Sequence, residues 1–346
     1  MTASTRSTPG VFSRFHGRPW AGAFNVVMAT TIVSIAARHE GLETLSIVLL
    51  WVAVAAFVSL AALDLWLARH PLALIRRAAQ PGQGFHALGF VADQTVLGVR
   101  IVGSGSLGLT VAAALLACGW VLWVLILAAV AAEHGRGGGR KPRGEWLLTV
   151  VATEGLSILS ARIAALEHLP ALHAGATVLW IAGGVAYGVV GALLVRRASQ
   201  PDFGVGNVTP DWWIVMGAPA IWCVAAVAVT GAHPGTIGAA AAMLAWGLAS
   251  VMLIVIAAAD ALRANRLGVR FTPERWTMVF PLGMYSVACW ALGQALHANW
   301  LSELGRAWLA VAFTAWAAVA YGELRHLLAV GRVPASRRRG TARRAG

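Results

Sequence analysis

The chain reads as an all-α membrane protein of ten transmembrane helices, and three observations predict it. First, 58% of its 346 residues are hydrophobic and only 12% charged, with a mean hydropathy of +0.71, far from the balance of a soluble domain. Second, apolar runs recur along the whole length, each near the ~20 residues that cross a hydrocarbon core. Third, the segments between them alternate between short turns and longer basic loops. The sixteen Trp suit interfacial belts. The formal charge of +13 would suit nucleic acid, but its basic residues are parcelled between apolar runs, as membrane topology requires. Nucleic acid is therefore not an expected partner.

The spans fall at 20–38, 44–67, 84–103, 107–132, 145–167, 173–195, 210–231, 235–261, 275–297 and 302–328. Residues 1–19 and 329–346 are basic tails. The first tail lacks the apolar core of a signal peptide. With both termini in the cytoplasm, the loops after even-numbered spans and the two tails hold 23 of the 27 Lys and Arg. The other four are Arg38, Arg100, Arg162 and Arg306. One span more or fewer would mix these classes, so the positive-inside rule selects ten spans in a cell membrane with cytoplasmic ends.

A repeat runs under this alternation. Thr209-Pro-Asp-Trp-Trp213 and Thr272-Pro-Glu-Arg-Trp276 match, and each opens an odd-numbered span. The other odd spans also start on an aromatic: Trp20, Phe85 and Trp146. A helix pair is thus the repeating unit. Odd spans carry nearly all the intramembrane polar and kinking residues, whereas even spans are plain and apolar. The expected arrangement is five helical hairpins, with an inner ring of odd-numbered helices around a central pore and an outer ring of even-numbered helices facing lipid.

The ninth span carries the sharpest local signal. Thr272 is placed to cap, Pro273 suits the first helical turn, and Glu274 meets the positive end of the helix dipole. Trp276 stands where an interfacial anchor belongs. Phe280 then directly precedes Pro281, which removes a backbone hydrogen bond and bends the helix. In a membrane such a break persists where protein or a water-filled cavity receives the freed carbonyl.

The stretches TPDWWIVMGAPAI, EWLLTVVATEGLSIL, GFHALGFVADQTVLGVRI and above all WTMVFPLGMYSVA resemble the tellurite-resistance/dicarboxylate transporter family, which takes in TehA, the slow-type anion channels and the malate permeases. The resemblance covers all ten spans in order. It implies a trimer of five-hairpin subunits, and a phenylalanine on the ninth helix that occludes the pore. Phe280 is the residue that matches. Four residues on from each anchoring aromatic come Phe24, Gly89, Val150, Gly217 and Phe280, which share a depth if the odd helices are equivalent. Phe24 is then a second part of the plug with Pro281 as the bend, while Gly89 and Gly217 leave space for a side chain to swing.

Asp93 and Glu154 each lie eight residues beyond their span's aromatic. Ionisable groups at such depth are costly unless paired, hydrated or neutralised. Salt bridges to Arg100 and Arg162 are the structural reading, but 7 and 8 residues separate each couple by about 10–12 Å along one helix. The functional reading is a proton-coupling or substrate path in which one or both carboxylates protonate as a coupled pair. The family often has glutamine at the position of Glu154, so this chain departs from the pattern. Arg38, Arg100 and Arg162 end inner spans 1, 3 and 5. They either snorkel to the interface or form a cationic mouth that attracts anions.

The function expected is a transporter or channel for small anions, such as a C4-dicarboxylate, sulfite or a tellurite-like oxyanion, gated by Phe280 and coupled to protons. A non-conducting sensor or scaffold of the same fold is the alternative. An intramembrane enzyme is disfavoured, since no nucleophile–base or metal-ligand set converges. No metal or cofactor is expected. Cys118, Cys223 and Cys289 read as inert core residues. Gly184 and Gly188 form a GxxxG pair suited to close helix packing.

Overall fold

The computed structural model describes residues 24–68, 84–135, 141–268 and 271–331. The N-terminal tail and the C-terminal basic tail beyond 331 lie outside the described residues. Within them the chain is all-helical, without strands. Ten α-helices follow in order: α1 (Asn25–His39), α2 (Glu43–Ala68), α3 (Gly84–Ile101), α4 (Gly105–Gly135), α5 (Leu148–Glu167), α6 (Pro170–Ala198), α7 (Ile214–Thr230), α8 (Ile237–Leu267), α9 (Trp276–Ala295) and α10 (Asn299–Gly331). Eight of them are long and apolar enough to cross a membrane. The other two are α1, with 15 described residues, and α3, which carries His86, Asp93 and Arg100.

Short turns join α1 to α2 and α3 to α4. Gly41 and Gly105 take φ of +73° and +78° there, a backbone that side chains disfavour. The GSGSLG stretch of 103–108 is thus the turn its position requires. On the other side of the repeat, α5, α7 and α9 share an entry. Each begins with a single 3-10 turn, over Gly144–Leu147, Pro210–Trp213 and Pro273–Arg275. Proline fits because the first helical amides have no acceptor within the helix, so a residue without an N–H loses no bond there. The expected side-chain caps are not formed: Thr209 and Thr272 are extended but donate and accept no capping bond. The tight 3-10 bonds serve early amides instead, with Trp212 and Arg275 donating to the Thr209 and Thr272 carbonyls (both 3.0 Å).

Every odd helix packs on the even helix that follows it. Every odd helix also packs on the next odd one, and α9 returns to α1, so the odd helices form a closed ring of contacts. Burial follows this division. Of the membrane-length stretch, 89% is buried in α5 and in α9, against 17% in α2 and in α10. The exposed faces of the even helices carry large apolar side chains such as Trp51, Val121, Val185 and Ile254, suited to lipid contact.

Lipid gives apolar side chains little reason to leave it, so hydrogen bonds and close packing hold such helices together. Ser157 donates to the Ala176 carbonyl (2.8 Å), tying α5 to α6, and Ser286 donates to the Gly305 carbonyl (2.7 Å), tying α9 to α10. The indoles of Trp123 and Trp316 donate to Thr153 (2.9 Å) and Thr30 (3.0 Å). Each such bond contributes about 0.6 kcal/mol. Two sequence expectations fail at this level. Trp276 is buried edge-on to Trp316, rather than exposed as a surface anchor. Cys118 is exposed on α4, whereas Cys223 and Cys289 are buried.

Candidate functional site

At the depth of the proposed gate, Phe280 is 1% exposed and ranks among the largest fully enclosed side chains. It sits on α9 beside Pro281, inside the ring. Gly217 of α7, the repeat's counterpart of Phe280, packs directly on the proline. A Cβ added to Gly217 would stand 2.9 Å from Pro281 Cγ and 3.1 Å from its Cβ. Gly217 therefore leaves no space for a swinging side chain; it admits the ring of Pro281. Gly89 on α3 does have room, its nearest neighbours being Leu148 at 3.8 Å and Asn25 at 4.0 Å. Phe24, at the start of α1, lies edge-on to Phe90 of α3 with centroids 5.0 Å apart.

The two buried acids do not form the pair expected. Both are fully buried, and none of their oxygens has a hydrogen-bond partner among the described residues. Asp93 faces α1, where its carboxyl approaches the Met28 amide without bonding to it. Glu154 turns the other way, toward the outer helix α6, and its Oε1 occupies the place a Cβ of Gly183 would take. The neighbouring residue Gly155 lies against Thr95 of α3, so Glu154 must point away from that seam. Neither acid reaches the arginine on its own helix.

Arg100 is bound elsewhere. It is 5% exposed, donating from Nε to Ser34 Oγ (3.0 Å) on α1 and from Nη2 to Ser46 Oγ (2.8 Å) on α2. Each serine hydroxyl donates in turn to the other's backbone carbonyl, both at 2.7 Å. Their protons are committed, and their lone pairs are left for the guanidinium. Sequence reading gave no hint of this clamp, because serines 12 residues apart carry no helical period.

The three predicted arginines share one end of the bundle, each within electrostatic range of the same histidine. The charges of Arg162, Arg38 and Arg100 all act on His39 at the end of α1. The His39 ring stacks on Trp290 of α9, with centroids 3.7 Å apart and planes 14° from parallel. Arg38 and Arg162 are exposed and have no ion pair among the described residues. Arg306, the fourth cation at this end, is neutralised by Glu40 (2.8 Å) and Glu303 (3.0 Å).

The opposite end is organised around acids. His86 Nε2 lies 3.0 Å from Glu145 Oε2, and the Glu145 amide donates to Asp211 (3.3 Å). Thr209 also donates to Asp211, while Arg143 stands 3.9 Å from it. Asp260 meets Arg263 (3.6 Å), Arg275 (3.9 Å) and the Trp213 indole (3.4 Å). In the loop before α7, the Lys141 ammonium (2.5 Å) and the Arg197 guanidinium (2.8 Å) hold the Asp202 carboxyl below the usual carboxylate range. Glu145, Asp202, Asp211 and Asp260 are thus partnered at this end, in contrast to Arg38 and Arg162 at the other.

The chain is similar to known membrane proteins. An "Uncharacterized membrane protein" of Mycobacterium tuberculosis, found in strains CDC 1551 and H37Rv, is 29% identical over 137 residues, covering 36% of this chain and 70% of that protein. The model of the voltage-dependent anion channel family matches residues 20–324. With a match of that extent over a buried helical ring, the chain belongs to the voltage-dependent anion channel family.

Proposed function

We propose that the protein conducts small anions across a cell membrane, by a path between α1, α3, α5, α7 and α9 that Phe280 closes. All ten helices are spans in this reading, and both termini are cytoplasmic. The subunits form a homotrimer, with lipid around the even helices. C4-dicarboxylates, or oxyanions such as sulfite or tellurite, are the substrates. The observation that carries the reading is the enclosed Phe280 beside Pro281, on a helix that closes a ring of buried helices. A proline bend supplies the local freedom a gate needs, and a family of anion channels supplies the class of cargo.

Proton coupling belongs to Asp93 in this scheme. It is the buried acid between two ring helices, whereas Glu154 lies in the seam with α6. An uncompensated carboxylate inside the bundle would also repel an anion.

Liposome flux tests the reading. Phe280→Ala should pass malate, sulfite or chloride faster than the wild type. A Phe280→Ala protein that passes none of the three at any pH would overturn the gated path and leave a non-conducting sensor or scaffold.

A further inference from the structure

The arginine cluster at the short-loop end leaves Arg38, Arg100 and Arg162 without an ion pair among the described residues. Three guanidinium groups from three different helices lie within electrostatic range of one histidine. Like charges so placed repel, and a cation as buried as Arg100 is costly without a compensating anion. Glu43 at the start of α2 acts on Arg100 from a distance, but makes no ion pair with it among the described residues. Both bonds that fix Arg100 come from neutral serines.

The way Arg100 is fixed says what would fit. Its Nε and one Nη2 hydrogen form the edge held by Ser34 and Ser46. The other edge, Nη1 with the second Nη2 hydrogen, has no partner among the described residues. A guanidinium edge is a planar fork that matches two oxygens of one ligand. A spherical halide satisfies only the charge. Around that fork, Arg38 and Arg162 contribute charge. The His39–Trp290 stack holds the end of α1 against α9, which positions Arg38. His39 Nδ1 is buried there without a partner.

We propose that this cluster is an oxyanion-binding site, in which Arg100 reads a carboxylate or comparable oxyanion through its free edge and Arg38 and Arg162 supply attraction. The site is a resident binding station and not only a field at the mouth. It deepens the anion-conducting reading and rests on it for the ligand's class.

Calorimetric titration of succinate into the purified protein, at constant ionic strength in sodium chloride, tests it. The wild type should bind, with chloride competing poorly. Arg100→Lys keeps the charge but loses the fork, and should weaken binding at least tenfold. The double variant Arg38→Gln/Arg162→Gln should do the same, while Arg325→Gln, far away on α10, should not. Should Arg100→Lys fail to fold, Ser46→Ala keeps the guanidinium but frees it, and should weaken binding severalfold. Absent binding, equal binding by Arg100→Lys, or displacement by chloride on a par with succinate would overturn the proposal. The titration is repeated in nanodiscs with and without phosphatidylglycerol. Equal affinity is expected, and loss of succinate binding in the anionic discs would assign the site to a lipid phosphate instead. Failure here is distinct from failure of conduction. Succinate binding without Phe280→Ala flux removes the gate and keeps the site, whereas flux that survives with no succinate binding removes the site alone.

Discussion

The carboxyl of Glu154 on α5 lies against the bare backbone of Gly183 on α6, in the space that any larger residue at 183 would fill. Adding that methyl forces either the acid or the outer helix to move, and overpacking of this kind costs about 1–3 kcal/mol. Gly183→Ala should lower the melting temperature in detergent. Glu154→Ala should reverse most of that loss by vacating the place. Additive effects in this double-mutant cycle would contradict the contact.

The seam between Gly217 and Pro281 gives a second packing test. With Pro281 Cγ at 2.9 Å, Gly217→Ala must push α7 from α9 and should cost about 1–3 kcal/mol. Gly89→Ala, whose nearest neighbour is 3.8 Å away, should be nearly neutral. Thermal melts of the two variants side by side decide this, and equal melting temperatures would refute the difference.

Proton coupling separates the buried acids. Asp93→Asn should flatten the pH dependence of anion flux into liposomes, and Glu154→Gln should leave its shape intact. The reverse result would place the transferable proton in the seam of α5 and α6.

Asp202 supplies a pH-dependent contribution to stability outside the membrane. Its folded value is depressed, first by Lys141 and then by Arg197, so the folded state holds the proton less tightly than the unfolded chain does. Its contribution is present above the usual carboxylate value of 3.8 and is lost as pH falls through the lower folded value. Solvent exposure keeps it small. Asp202→Asn should melt below the wild type at neutral pH, with the gap closing under acid conditions. A gap that persists unchanged at low pH would exclude this origin.

The sequence carried much of the fold, and the reasons are physical. Membrane thickness sets span length, so the helix at Pro170–Ala198 was readable as a span at 173–195 without any neighbour in view. The odd–even division was readable because polar and kinking residues are tolerated only where other helices cover them. Side-chain direction was another matter. Trp276 sits at an interfacial position but turns inward to Trp316, because a tryptophan near a span end suits either surroundings. Glu154 and Asp93 share a place in the repeat and yet face α6 and α1. A repeat fixes depth along a helix, whereas facing depends on rotation about it. His39 carries no periodic or motif signal, and it gains its place only where α1 meets α9 at Trp290.

The unequal ends of the bundle make it an electrically polar object. Several carboxylates are tied to His or Arg where the long loops lie, and Arg38, Arg100 and Arg162 form one cluster where the loops are short. A permeating anion would meet a compact arginine cluster on one side and a diffuse basic collar on the other, so the two directions of flow would saturate at different concentrations. Current through a single oriented molecule would rectify with no moving part at all, and turning the molecule over in the bilayer would reverse the sense.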